Sequence, residues 1–156
     1  MASQTTPAPD LDELPGHYIR RLHQIAVALF LQETEAHGLT PVQYAALSKV
    51  DQVPGVDQRT LARSIGLDTS TTAGVIDRLE ARGLMQRSAS PDDRRVRLLS
   101  LTGDGQALIA AIEPDMLRAQ DRILAPLPAA ERAEFMRMLR MLVTANNELS
   151  RAPSEV

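Results

Sequence analysis

Apolar residues recur at helical spacing over most of this chain, and one stretch changes to the period of a strand. Residues 1–10 hold two prolines and no periodic pattern, and they read as a disordered lead-in. A long helix follows, with Pro15 in its first turn and a periodic stretch over about 17–37 that Gly38 closes. Thr40-Pro41 is an N-cap followed by a first-turn proline, opening a second helix to about Gln52 that Pro54-Gly55 breaks. Asp57 caps a short third helix ended by Gly66, and Asp68 caps a fourth that runs to about Arg82 and stops at Gly83. Two extended segments come next, 84–88 and 95–101, around a turn containing Pro91, Asp92 and Asp93. Thr102 caps a helix to about Leu124, Pro126 and Pro128 mark a turn, and a last helix spans about 129–149.

A short capped helix, a glycine turn and a second capped helix form a helix-turn-helix, and the hairpin behind it is a wing. The fold class is therefore mainly α with a small β-wing. Three long helices cannot bury their apolar stripes around so small a centre, so they are expected to form an intersubunit bundle in a two-fold homodimer. The expected division is a disordered lead-in over 1–10, dimerisation helices over 11–39 and 103–150, a winged helix-turn-helix over 40–102, and a disordered tail over 151–156.

Composition narrows the function. The chain has 156 residues, enough for one buried core, with 44% apolar residues and no Trp, so Leu, Ile, Val, Ala and Met must fill that core. It has no Cys, which excludes disulfides, thiolate metal sites, a cysteine nucleophile and a thiol redox switch. No apolar run approaches the roughly 18 residues of a membrane span. The opening MASQTTPAPD lacks the features of a signal peptide, so a cytoplasmic location is expected. No metal-spaced His pair, phosphate loop or nucleophile elbow is visible; no enzyme activity, cofactor or metal is expected. His17, His23 and His37 are spaced by six and fourteen, which does not bring three imidazoles together on one helix.

Net charge is −3, which argues against indiscriminate coating of nucleic acid. The distribution is more telling: residues 57–102 hold eight Arg against six acidic residues, while the flanks hold nine basic and fourteen acidic. The middle third alone is biased toward a polyanion.

In the fourth helix Thr72, Val75, Ile76 and Leu79 fall at i, i+3, i+4 and i+7 and must face the core. The opposite face presents Ser70, Ala73, Gly74 and Asp77, bordered by Thr69, Thr71 and Arg78. Short hydroxyl side chains at a helix N-terminus can enter a major groove and bond base edges, and the helix end favours phosphate. The alternative is an N-cap cluster on an ordinary surface helix. In the hairpin, Arg94, Arg95 and Arg97 stand in or beside an acidic turn, with Arg87 on the partner strand. An arginine at a wing tip can enter the narrow minor groove, and Asp92 or Asp93 could fix its pose. The candidate DNA-contacting set is Asp68, Thr69, Ser70, Thr71, Gly74, Arg78, Arg94, Arg95 and Arg97.

The stretch DQRTLARSIGLDTSTTAGVIDRLEARGLMQRSASPDDRRVRLLSLTGDG resembles the core of the multiple-antibiotic-resistance regulator (MarR) family. The LA-x-x-(I/L)-G-L-D start, the DRLEARGL helix end and the DDRR wing followed by LSLT carry the resemblance, which extends over roughly residues 15–150. It implies a triangular homodimer whose two winged modules read adjacent major grooves of an inverted repeat in double-stranded DNA. It also implies that Asp93 and Arg95 form a wing-stabilising pair and that Arg94 or Arg95 reaches the minor groove. Two positions depart from the family: Ala73 stands where Thr is frequent, and Gly74 where a larger polar or basic residue is frequent. Close approach to DNA or to a neighbouring helix would account for Gly74.

The resemblance further implies a small-molecule effector bound between the dimerisation helices and the DNA-binding module. At about 100° per residue, Tyr18, Ile19, Leu22, Ile25, Ala26, Val27, Leu29 and Phe30 sweep one apolar arc of the first helix, with His23 inside it and Arg20 at its border. That wall, with Tyr18 and with Tyr44 of the second helix, suits a planar acid, the arginine taking the carboxylate and the imidazole a ring substituent. The alternative is a core histidine satisfied by a backbone carbonyl. The segments DELPGHYIRRLHQIAVALF and ILAPLPAAERAEFMRMLR are similar to those of members that govern aromatic-acid and nicotinate catabolism, which implies an aromatic or N-heteroaromatic acid such as 6-hydroxynicotinate. A repressor of a catabolic gene cluster is thus expected; a helical dimeric adaptor, an activator and a regulator answering a different ligand stand as alternatives.

Overall fold

The structure is a computed structural model that describes residues 8–150 together with 152 and 153. Most of the lead-in expected over 1–10 and of the tail expected over 151–156 lies outside the described residues. Within them, a short 3-10 turn Leu11–Glu13, capped by Asp10, precedes α1 (Pro15–Glu33). Then come α2 (Pro41–Gln52), β1 (Val56–Asp57), α3 (Gln58–Ser64), α4 (Thr69–Ala81), β2 (Met85–Ala89), β3 (Arg97–Leu101), α5 (Gly103–Leu124) and α6 (Ala129–Asn146). This is a winged helix-turn-helix, with α3 and α4 as its two helices and β2–β3 as the wing.

The caps read from the sequence set most boundaries. Thr40 accepts the Gln43 N–H while the Gln43 side chain accepts the Thr40 N–H, a reciprocal capping box. Asp57, Asp68 and Thr102 accept main-chain N–H groups three residues on, at 2.9, 2.8 and 3.1 Å. The first helix ends four residues before the expected boundary. Thr34, wholly buried, turns its hydroxyl back to the Phe30 carbonyl at 2.7 Å, and a 3-10 turn Glu35–His37 takes over before Gly38 at φ 63°. The last helix likewise passes into a 3-10 turn, Asn147–Leu149.

A strand the sequence pattern did not predict completes the sheet. β1 pairs antiparallel with β3 through Val56 opposite Leu99, giving the order β1-β3-β2. β2 pairs with β3 from Met85 opposite Leu101 to Ala89 opposite Arg97. The second wing strand starts at Arg97, not residue 95, because residues up to Val96 close the tip turn.

The core lies where α2, α3, α4 and the sheet converge: Leu47, Leu61, Ile76, Leu79 and Leu99 are fully buried, joined by Ile112 of α5. The α4 stripe Thr72, Val75, Ile76 and Leu79 faces inward, as its spacing predicts. Gly105 sits where α5 leaves the wing; a Cβ there would lie 2.0 Å from the Leu84 carbonyl oxygen, so no larger residue fits. Helices α1 and α5 pack side by side, whereas α6 buries none of its residues. No helix among the described residues is long and apolar enough to cross a membrane.

Candidate nucleic-acid interface

Helix α4 presents its N-terminal turn outward because Asp68 caps it and Thr72, Val75 and Ile76 hold its other face in the core. Thr69, Ser70, Thr71 and Arg78 are exposed, and a Cβ on Gly74 would meet nothing within 4 Å. Packing against another helix of the same chain therefore does not account for Gly74. The Asp68 carboxylate does more than cap: its second oxygen accepts the Thr71 hydroxyl at 2.7 Å. Bonds from the Thr71 main chain and side chain hold the Asp68 carboxyl below its ordinary value, so it is ionised at neutral pH. Thr71 therefore spends its proton inside the protein and offers DNA only acceptor lone pairs, whereas the Ser70 hydroxyl stands clear on the same face.

The wing tip, residues 91–97, is exposed throughout. The Asp93 carboxylate accepts the Arg95 main-chain N–H at 2.9 Å, and the Val96 N–H donates to the Asp93 carbonyl at 2.9 Å. The expected Asp93–Arg95 link thus exists as a turn bond, while an ion pair between the two side chains is absent among the described residues. Among those residues the guanidinium of Arg95 is left unpaired, as are those of Arg94 and Arg97. Arg87 differs. It is half-buried, and its guanidinium bonds Asp77 Oδ1 at 2.6 Å, Glu80 Oε2 at 3.0 Å and the Ala73 carbonyl at 3.4 Å. It is a clamp between wing and α4, not a DNA-facing cation.

A cleft of about 550 Å³ joins these parts, lined by Gln58, Arg59 and Thr60 of α3, Thr69 of α4, and Arg95 and Arg97 of the wing. Arg59 belongs with the candidate cations, although the sequence pattern did not single it out. A signal for it exists: it stands two residues after the Asp57 cap, in the first turn of the first helix of the motif.

The candidate effector residues separate in space. His23 lines an open apolar cavity of about 600 Å³ with Leu22 and Ala26 of α1, Gln120 and Ile123 of α5, and Phe135 of α6. It is exposed, which rules out the core-histidine alternative within this chain. Arg20 does not join it; its guanidinium stands 3.5 Å from His17 Nδ1. Tyr18 is exposed, edge-on to His17, and Tyr44 packs on Phe30 at 5.8 Å between ring centres, at the margin of the core. The four residues thus do not form one pocket: Arg20, a helical neighbour of His23, turns its guanidinium back to His17, and Tyr44 is drawn to Phe30. The cavity itself lies among α1, α5 and α6 rather than against the winged module.

Residues 39–96 match the MarR family. Over 94% of its length the chain is 31% identical to the HTH-type transcriptional repressor NicR of Pseudomonas putida, 98% of which is covered. Among solved structures, the PcaV transcriptional regulator of Streptomyces coelicolor in complex with its natural ligand superposes with a TM-score of 0.84 at 38% identity, over 90% of this chain and 99% of that one. BpsR of Bordetella bronchiseptica, whose DNA binding is regulated by 6-hydroxynicotinic acid, gives 0.82 at 32%, over 87% and 97% respectively.

Proposed function

This chain belongs to the MarR family of transcriptional regulators, and on that premise we propose that it is a homodimeric repressor released from its operator by a small aromatic or N-heteroaromatic acid. One observation carries the DNA-binding part. The outward N-terminal face of α4, with Ser70 and the uncovered Gly74, stands beside a wing whose Arg94, Arg95 and Arg97 have no ion partner among the described residues, and Arg59 joins Arg95 and Arg97 in one cleft beside the capping Asp57. Cations left unpaired on a chain of net charge −3 suit a polyanion, and a short-residue helix end suits a major groove.

The dimer reading rests on α1 and α6. Tyr18, Ile19, Met141, Leu142 and Val143 are each more than half exposed, and no residue of α6 is fully buried within its own chain. Such a surface needs a partner, and a second copy supplies it with two-fold symmetry. On this reading the helices over 11–39 and 103–150 form the intersubunit frame and 40–102 the reading module, and the protein acts in the cytoplasm. The effector reading is supported by the apolar cavity carrying one imidazole at His23, and by the similarity to BpsR, whose DNA binding is regulated by 6-hydroxynicotinic acid.

Footprinting and fluorescence anisotropy on DNA flanking the protein's own gene test the proposal. The expected result is a protected inverted repeat with half-site centres about one helical turn apart. Protection of a single asymmetric half-site removes the dimer reading, and absence of sequence-selective binding favours the adaptor alternative.

A further inference from the structure

Arg82 stands at the C-terminal end of α4, where the helix stops against Gly83. Its guanidinium turns away from the DNA-facing end: Nη1 donates to the Gly38 carbonyl at 2.8 Å and Nη2 to the His37 carbonyl at 3.3 Å. Those carbonyls belong to the turn that closes after α1, with Gly38 in the left-handed region. Carbonyls at a helix end lack intrahelical donors, and the planar fork of an arginine supplies two at once.

The same turn is anchored to α5. His37 Nε2 lies 2.7 Å from Asp115 Oδ2, while Arg122 and Arg118 of α5 bond Glu33 at the end of α1, at 2.6 and 3.4 Å. The end of α1, the middle of α5 and the end of α4 therefore meet at one joint. Helix α4 packs on α2, α3 and β2, all inside the winged module. The module also meets the α1–α5 frame through α2 and through apolar packing in the shared core, and Arg82 adds a directional, hydrogen-bonded link from the end of the reading helix itself. Further ties at this end, the Thr102 hydroxyl donating to the Gly83 carbonyl at 2.6 Å and the Thr102 N–H to the Leu84 carbonyl at 3.2 Å, engage the first turn of α5.

Resting on the DNA-binding homodimer read above, we infer that Arg82 is a positioning residue that fixes each recognition helix against the dimer frame and so sets the half-site spacing the protein accepts. Adding one base pair between half-sites moves one of them by roughly 3.4 Å and rotates it by about 34° around the duplex. A dimer with a rigid joint cannot follow that change on both sides. One whose reading modules swing about the α1–α2 turn can.

The test uses the full chain and an inverted repeat that the parent protein selects from random DNA, with spacers shortened and lengthened by one base pair. Anisotropy titrations at one salt concentration should show the parent losing at least about tenfold in affinity at either altered spacing. Arg82→Ala should lose less than about threefold between cognate and altered spacings, and Arg82→Lys, which keeps a donating cation but not the two-nitrogen fork, should fall between them. Arg82→Gln serves where the alanine variant folds poorly. A merely structural arginine would lower thermal stability and weaken all spacings together. That uniform loss, or a spacing profile superimposable on the parent's, overturns the inference. Failure of the parent to select any inverted repeat overturns the homodimer reading beneath it, and this inference with it.

Discussion

Arg87 Nη2 stands 2.6 Å from Asp77 Oδ1, so the first wing strand is ionically fastened to the outward face of the recognition helix. The arrangement answers an electrostatic difficulty. Asp77 shares the exposed face of α4 with Ser70 and Gly74, where an unpaired carboxylate would repel phosphate. Arg87 cancels that charge and, through Glu80, stiffens the angle between helix and wing.

Arg87→Ala should therefore damage both stability and binding. It removes charge-assisted bonds to two partly exposed carboxylates, an expected loss of about 1–2 kcal/mol after allowance for solvent screening. Calorimetric unfolding should show Tm lower by roughly 2–8 °C. DNA affinity should fall further than stability alone requires, because Asp77 is exposed to the phosphates. An unchanged Tm would make the clamp energetically idle.

The wing arginines should behave in the opposite way. Arg94→Ala with Arg95→Ala breaks no bond among the described side chains, since the Asp93 bond uses the Arg95 main chain. Stability should stay within about 0.5 kcal/mol of the parent, the usual range for surface substitutions, with Tm nearly unmoved. Operator affinity should fall strongly, and the slope of log K against log salt should flatten by about 1 for each phosphate no longer neutralised. An unchanged slope would remove the wing tip from the interface.

Ser70 and Thr71, neighbours on one helical turn, are separable by experiment. The Ser70 hydroxyl is clear of the protein, so Ser70→Ala should lower discrimination between operator and random DNA by about 1–3 kcal/mol, the worth of one base-edge bond, and leave Tm unchanged. Thr71→Ala also frees one oxygen of the Asp68 cap, so its Tm should fall as well. Equal thermal behaviour of the two variants would contradict the assigned bond.

These contrasts mark what local sequence can and cannot report. The caps at Thr40, Asp57, Asp68 and Thr102 were legible because a cap is a local event, one side chain and an amide three residues on. The buried α4 stripe was legible from its period. β1 was not: two residues hold no pattern, and Val56-Asp57 is a strand only because Leu98 and Leu99 arrive beside it. The roles of Arg82 and Arg87 were hidden for the same reason. Their partners lie 44 and 10 residues away, and a sequence shows an arginine without showing what it reaches. Tyr44 misled by type, since an amphipathic ring suits a ligand and a core margin equally.

Acid should loosen the α1–α5 frame. The Arg122 guanidinium holds the Glu33 carboxyl below its ordinary value, and the His37 ring and Arg118 do the same for Asp115. For carboxyls depressed in the folded state, the stabilisation is complete above their unfolded pKa, about 4–4.5, and is lost as pH falls through the folded one. The Tm of the parent should thus stay level from neutrality to about pH 5 and drop below it. Arg122→Gln should lower Tm at neutral pH, with the gap to the parent closing as acid protonates Glu33. A gap that is constant with pH would show that Arg122 acts through packing of its stem rather than through its charge.

The effector cavity gives the last prediction. A ligand can release DNA only by binding the DNA-incompetent arrangement better than the competent one. The cavity at His23 is bounded by α1, α5 and α6, and α1 and α5 are the two helices whose relative placement the Glu33 and His37 bonds fix. Filling it should move that frame and, with it, the separation of the reading helices. With 6-hydroxynicotinate as the probe, operator affinity of the parent should fall roughly 5- to 150-fold at saturation, the usual span of allosteric coupling. His23→Ala should bind the operator like the parent and lose the response. Arg20→Ala should keep it, because that guanidinium turns toward His17 rather than into the cavity. Calorimetry on the free protein separates binding from coupling. Parent-like affinity for the acid in His23→Ala would place the effector elsewhere, and loss of affinity in Arg20→Ala would mean that the arginine reaches the ligand in the dimer.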